Sequence, residues 1–292
     1  MHNPFKEDIN EDKKDTDYII KSVNGDAGAL ENLLLRHHSW IFNIAVKMTG
    51  DIHDAEDVTQ EVLIKVITKL STYSSRKSSF RTWLYRIVAN HVINMKTGKK
   101  EKIMAGALLN NDIEDLASGI PDRRKSGLPG HDLMIEETKT SCMNCMLLSL
   151  KRKERIIFIL GVVFNVTDKI GSELCDISRE NFRKILSRTR KKLYDFFNTQ
   201  CSLLNESNPC RCDKKITSMI KLKLVDPDLA LTTHYSHGSI QEILGETVRN
   251  IEDSYYEFNL LFHNQPFYKN DMIAWFRELI NKRDIRNIFN VN

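Results

Sequence analysis

DAEDVTQEVLIKVITKL, residues 54–70, carries its fold class in its spacing. Ala55, Val58, Val62, Val66 and Leu70 recur every three or four residues, the apolar stripe of an amphipathic helix and not the two-residue alternation of a strand. Asp54 is placed to cap the helix, and acidic residues occupy the first turn, where the positive end of the helix dipole favours them. A second face runs through Asp57, Gln60, Glu61 and Ile64 at i, i+3, i+4 and i+7. Such an acidic-polar face is most often only solvated, and it is also a surface on which a partner can dock.

Outward from that helix, apolar residues keep helical spacing from 26 to 96, broken at Gly50-Asp51 and across STYSSRKSS, residues 71–79. The pattern predicts a bundle over 21–98, preceded by a loose polar tail over 1–20. Residues 99–140, with Pro121, Pro129 and scattered glycines and charges, predict a flexible connector. Helical spacing returns over 141–200, and 201–292 form a cysteine-bearing extension whose segments 239–261 and 272–289 are amphipathic, with Phe258, Leu261, Trp275 and Phe276 as core residues. No alternating strand pattern of useful length occurs, so the expected fold is all-α.

Composition narrows the classes. A chain of 292 residues with 28% charged and 41% hydrophobic residues fits a soluble helical protein. No run approaches the roughly 20 apolar residues that cross a bilayer, and residues 1–15 lack the apolar core of a secretory signal, so a cytoplasmic location without membrane association is expected. Net charge is only +4, but basic residues gather over 96–102 and 179–192, where they suit phosphate backbones. A phosphate-binding glycine loop, a metalloprotease helix and a nucleophile elbow are all missing, so no enzyme is expected and no cofactor is required.

SSFRTWLYRIVANHVINMK, residues 78–96, predicts a helix capped by Ser78 or Ser79 that buries Phe80, Leu84, Ile87, Val88 and Met95. Arg81, Trp83, Arg86, Asn90 and Asn94 fall on other faces. Rings, guanidinium groups and amides together suit unpaired DNA, although Trp83 could equally pack in the bundle. In residues 153–197, Ile170 and Leu174 give a short helix its apolar face, Cys175-Asp176-Ile177 turns, and Ser178 caps a second helix that buries Phe182, Leu186 and Leu193. That helix presents Arg179, Glu180, Asn181, Arg183, Lys184, Arg188 and Arg190, as a helix-turn-helix recognition helix does.

Three strings in this order, DAEDVTQE, SSFRTWLYR and the helix-turn-helix, resemble regions two and four of the sigma-70 family of RNA polymerase sigma factors, in the extracytoplasmic-function group. DAGALENLLLRHHSWIFNIAVKMTGD, residues 26–51, resembles the preceding helices of region two. The resemblance implies core RNA polymerase and promoter DNA as partners, and leaves open an anti-sigma protein. It implies polymerase contact by Asp57, Gln60 and Glu61. It implies contact with the −10 element by Arg81, Trp83, Arg86, Asn90 and Asn94. It implies contact with the −35 element by Arg179, Glu180, Asn181, Arg183, Lys184 and Arg188, with Ile185 standing where most relatives carry a basic residue. The rival reading is a stand-alone helix-turn-helix regulator that never joins polymerase; it explains the basic helix but not the order of the three motifs.

Cys142-x-x-Cys145 precedes the helix-turn-helix, and Cys201 and Cys210-x-Cys212 follow it. Cys142, Cys145, Cys210 and Cys212 are candidate ligands of one structural Zn²⁺, with Cys201 a substitute; a thiol redox sensor and plain packing are the other readings. Cys201 followed by NPCRC also resembles a tail of sigma factors that carry an extra C-terminal segment. Cys175 is expected in the core, and His37-His38 as an exposed pair.

Overall fold

Asp26 opens the longest helix, its Oδ1 accepting from the Ala29 amide at 2.9 Å, and Gly50 closes it at φ 69°, a left-handed conformation that glycine adopts without Cβ strain. Asp51 at once caps the next helix by accepting from the amides of His53 and Asp54, so that helix starts at Ile52, ahead of the expected Asp54 cap. The computed structural model describes residues 9–105, 131–204 and 206–225. Its helices are α1 (Ile9–Val23), α2 (Ala27–Thr49), α3 (Ile52–Lys69), α4 (Phe80–Asn94), α5 (Lys99–Met104), α6 (His131–Leu148), α7 (Arg152–Phe158), α8 (Asp168–Cys175), α9 (Arg179–Gln200) and α10 (Cys212–Lys221). A π-turn over Ile159–Val163 extends α7. No strand occurs among the described residues, and the all-α expectation is met.

Two boundaries differ from the sequence reading. The expected tail is helical from Ile9, because Ile19 and Asp15 of α1 are buried against the bundle. Helix α5 lies wholly inside the expected connector, with Glu101 and Met104 buried, and α6 starts within it at His131; residues 106–130 of that connector lie outside the described residues. So do 226–292, including Phe258, Leu261, Trp275, Phe276 and the two amphipathic segments of the extension.

One apolar core runs through both halves. Leu33, Ile41, Ile44, Val62, Leu63, Val66, Leu84 and Val88 pack in the first half, and the same cluster continues through Met143, Leu147, Phe158, Leu160 and Phe182. From Trp40 to Thr49 every residue of α2 is buried, and the helix is packed by α1, α3 and α4 and by α6 and α7. Contact at the seam is close: a Cβ on Gly50 would stand 2.5 Å from Leu148 Cδ1. Among the described residues the two halves are therefore packed on each other rather than hung apart on a connector.

A charged clamp locks that seam. Glu101 of α5 accepts from Arg152 at 3.0 and 2.8 Å and from Arg155 at 3.0 Å. Arg155, 1% exposed, also donates to the carbonyls of Leu147, Met48, Leu148 and Leu150, and Arg152 to those of Ile93 and Met95. Burial alone would raise the Glu101 carboxyl, but the Arg152 hydrogen bond and the charges of Arg155 and Arg152 outweigh it and hold the pKa below the ordinary 4.5.

Candidate polymerase and nucleic-acid interfaces

Helix α3 separates its two faces as its spacing requires. Ala55, Val62, Val66 and Leu70 are buried, with Val58 packed at the edge, and Thr59, Leu63 and Ile67 join them. Asp57, Glu61 and Ile64 are exposed, with Gln60 half-buried beside them. Ile64, 39% exposed, adds one apolar side chain at the C-terminal end of this acidic face. Asp57 and Glu61 also line a cavity of about 420 Å³ with Asp54, His91 and Lys96 among others. Burial, then the charges of Asp51 and Asp57, raise the Asp54 carboxyl; burial, then Lys65, lower His91, against the pull of Glu61 at 3.4 Å.

Ser79 caps α4 by accepting from the Thr82 amide at 3.3 Å. Of the five expected −10 residues, Arg86, Asn90 and Asn94 are exposed. Trp83 is half-buried, stacked on Phe80 with centroids 5.5 Å apart and tilted against Tyr73 at 5.6 Å. Its ring thus both packs the bundle and keeps an open edge. Arg81 departs from the expectation: it is 8% exposed, with Nε 3.8 Å from buried Asp15 Oδ2, which leaves it no open surface for DNA. Asp15 serves three cations or donors, since its Oδ1 also accepts from Arg36 at 2.9 Å and pairs with His37 Nε2 at 3.1 Å. His37 is therefore not exposed, and its Nδ1 accepts from Trp40 Nε1 at 3.1 Å. His38 is half-buried, with Nδ1 2.7 Å from the Leu35 carbonyl.

The helix-turn-helix forms with the expected caps. Thr167 caps α8, Asp176 ends it at φ 53°, and Ser178 caps α9 by accepting from the Asn181 amide at 3.2 Å. Gly171 lets the helices cross closely, because a Cβ there would stand 2.3 Å from Phe182 Cζ. Phe182 and Leu193 are buried, and Arg179, Glu180, Asn181, Arg183, Lys184 and Arg188 are all exposed. Arg190 is turned inward and donates to the Gly161 carbonyl at 3.2 Å. Arg183 pairs with Asp168 at 3.0 Å and Lys184 with Glu180 at 2.6 Å, exposed pairs that phosphate oxygens can displace.

The two surfaces expected to face DNA meet. Arg86 donates to the Glu173 carbonyl at 3.3 Å, and one cavity of about 360 Å³ is lined by Arg86 and Asn90 of α4 together with Asn181 and Ile185 of α9. Cys175 is half-buried in the turn beside the Tyr85 hydroxyl, and burial pushes its thiol up to about 12. Sequence reasoning found the outward-facing residues on each side but not their juxtaposition, which local spacing does not encode.

None of the six cysteines forms a disulfide. Cys145 lies apart from the expected ligand set, 4% exposed near Lys100, its thiol pushed up to about 12 by burial. Cys201 and Cys210 lie side by side in an isolated bridge, and among the described residues no three His, Cys, Asp or Glu stand at metal-holding geometry.

The described residues thus form a helical body with an exposed acidic face on α3, a half-open aromatic helix and a basic helix-turn-helix. Residues 33–101 match the family model described as sigma-70 region 2. The chain is 24% identical over 159 residues to ECF RNA polymerase sigma factor SigM of Bacillus subtilis, covering 54% of this chain and 88% of that one. It is 28% identical over 153 residues to SigD of Mycobacterium bovis, covering 51% and 68%, and 33% identical over 82 residues to SigW of Bacillus subtilis, covering 28% and 43%. Residues 33–101 thus match a sigma-70 region 2 domain, and over about half its length the chain is similar to ECF RNA polymerase sigma factors.

Proposed function

We propose that this chain docks on core RNA polymerase through Asp57, Gln60 and Glu61 of α3, with Ile64 as an apolar contact beside them. It then reads the −35 element with Arg179, Glu180, Asn181, Arg183, Lys184 and Arg188 and holds the opened −10 strand with Trp83, Arg86, Asn90 and Asn94. The carrying observation is the division of α3: one face is consumed by the core, while the other carries exposed Asp57 and Glu61 and ends in an exposed isoleucine outside the core cluster. Burying that isoleucine in a protein contact recovers apolar area left in water. Arg81 is excluded from the DNA set, since its guanidinium serves Asp15.

The closed arrangement sets a condition on this activity. Elements at −35 and −10 lie about 25 base pairs apart, or ~85 Å at 3.4 Å per step. Helices that share one cavity of about 360 Å³ cannot reach both, so α8 and α9 separate from α4 when promoter binds. Docking on polymerase is the event that supplies the energy, because a ligand shifts a closed–open balance only by its preference for one state. The protein performs no bond chemistry of its own, and its place is with polymerase and chromosome in the cytoplasm. No helix among the described residues is long and apolar enough to cross a membrane. Run-off transcription from genomic DNA tests the reading: core polymerase with this chain should yield defined 5′ ends absent with core alone, and identical products in both would refute it.

A further inference from the structure

Helix α1 carries an acid on the side it buries. Asp15, Ile19 and Ser22 recur at i, i+4 and i+7 and are 0%, 7% and 1% exposed, while Lys13, Lys14, Asp17 and Lys21 face solvent. A carboxylate in that position is costly unless it is paired, and Asp15 is paired three ways. Its Oδ1 accepts from Arg36 Nε at 2.9 Å and lies 3.1 Å from His37 Nε2, both on α2. Its Oδ2 stands 3.8 Å from Arg81 Nε in the first turn of α4. Asp15 itself lies before residues 33–101, which match sigma-70 region 2.

From those partners two routes lead to the indole that the proposed function gives to unpaired DNA. One runs through rings: His37 meets Phe80 edge-on at 5.5 Å, Phe80 stacks on Trp83 at 5.5 Å, and Tyr73 closes the group at 5.4 Å from Phe80 and 5.6 Å from Trp83. Tyr73 also donates to the Ser78 carbonyl at 3.2 Å, which ties the loop ahead of α4 to the same group. The other runs along the main chain, since Arg81 follows Phe80 directly and stands two residues before Trp83. Phe80 is 4% exposed and carries the setting of His37 to two half-buried rings, Tyr73 and Trp83. A buried ion pair adds little net stability over an apolar pair of similar volume; what it supplies here is a fixed geometry. Stacking depends on how a ring face is presented, so geometry is what a base-stacking surface needs.

We propose that Asp15 is a positioning residue for strand opening: through His37 and Arg81 it sets the tilt of the Tyr73, Phe80 and Trp83 rings, and so the surface on which an unpaired base of the −10 strand stacks. This role rests on the reading of Trp83 as a strand contact. It gives Arg81, 8% exposed, an indirect part in the same event. The Arg81 pairing at 3.8 Å lies beyond hydrogen-bond reach and is held by charge, so removing the charge at Asp15 releases it. The same change lets the His37 ring turn against Phe80. Neither residue lies on the α3 face assigned to polymerase, so core binding should not change.

Holoenzyme assembled from core polymerase and the full chain tests the role. The probe is a fork DNA from a promoter mapped by run-off transcription, its −10 strand already single-stranded and labelled with 2-aminopurine. Asp15→Asn keeps the size and an acceptor oxygen for Arg36 but loses the charge. It should bind core as wild type does and hold the single strand about tenfold more weakly, the worth of one stacked base. The double variant Asp15→Leu with Arg81→Leu removes both charges together; it should melt no lower than Asp15→Asn yet stay as weak on the strand. Asp17→Asn, which alters an exposed carboxylate of the same helix, should match wild type on the strand. Wild-type strand binding in Asp15→Asn overturns the proposal. So does a double variant whose strand binding returns together with its melting temperature, which is the behaviour of packing alone. Trp83→Ala separates this failure from that of the underlying reading: wild-type strand binding there removes the stacking surface itself, whereas a weakened Trp83→Ala beside an intact Asp15→Asn removes only the role of Asp15.

Discussion

Glu101→Ala removes the anion that both Arg152 and Arg155 use to hold the two halves of the molecule together. Arg152 can swing its guanidinium to solvent, being 16% exposed, but Arg155 at 1% cannot. Arg155 keeps four main-chain carbonyl acceptors, from Met48, Leu147, Leu148 and Leu150, so its hydrogen bonds survive while its charge loses its partner. Breaking a buried pair from one side costs about 3–5 kcal/mol, and the retained carbonyls place this case at the lower end, ~3 kcal/mol. With a urea m value of about 2 kcal/mol per molar, the midpoint should fall by about 1.5 M. The exposed neighbour substitution Lys102→Ala should stay within ~0.5 kcal/mol. Because the clamp spans the seam, the same ~3 kcal/mol shifts any closed–open balance by on the order of 10²-fold, and amide exchange in α8 should quicken before global unfolding. The pH dependence has a fixed sign. A carboxyl held below its ordinary 4.5 contributes stability that is fully present above that value and is lost as pH falls through the depressed one. Wild type and Glu101→Gln should therefore converge in acid and diverge above pH 4.5. A midpoint for Glu101→Ala within error of wild type, at unchanged m, would refute the clamp.

Two further substitutions separate the DNA contacts. Arg183→Ala with Lys184→Ala should weaken binding to the upstream duplex element and reduce the salt slope by about one per lost phosphate contact, with little change in melting temperature, since both side chains are exposed; an unchanged slope in a filter-binding titration would remove them from the interface. Trp83→Ala should impair strand opening in permanganate footprinting and also lower thermal stability, because its ring stacks on Phe80 and Tyr73; a wild-type open complex would leave Trp83 as packing alone.

Local patterns were legible where burial is apolar. The α3 stripe, the Ser79 and Ser178 caps, the Asp176 turn and the outward face of α9 all follow from side-chain chemistry within one or two turns of helix. Polar burial was not legible. Asp15 makes α1 read as solvated, yet it is a hub for Arg36, His37 and Arg81, three partners more than twenty residues away. Arg155 and Glu101 look like ordinary surface charges in a basic, mixed stretch, and only their distant acceptors explain their burial.

The central claim is that a face of α3 left unused by folding holds polymerase. It is tested by the equilibrium affinity of core RNA polymerase for wild type and for the triple variant Asp57→Ala, Gln60→Ala, Glu61→Ala, measured with melting temperature on the same preparations. The account predicts a loss of affinity of at least about tenfold, near 1.4 kcal/mol, with melting nearly unchanged. Wild-type affinity in a folded triple variant would contradict it.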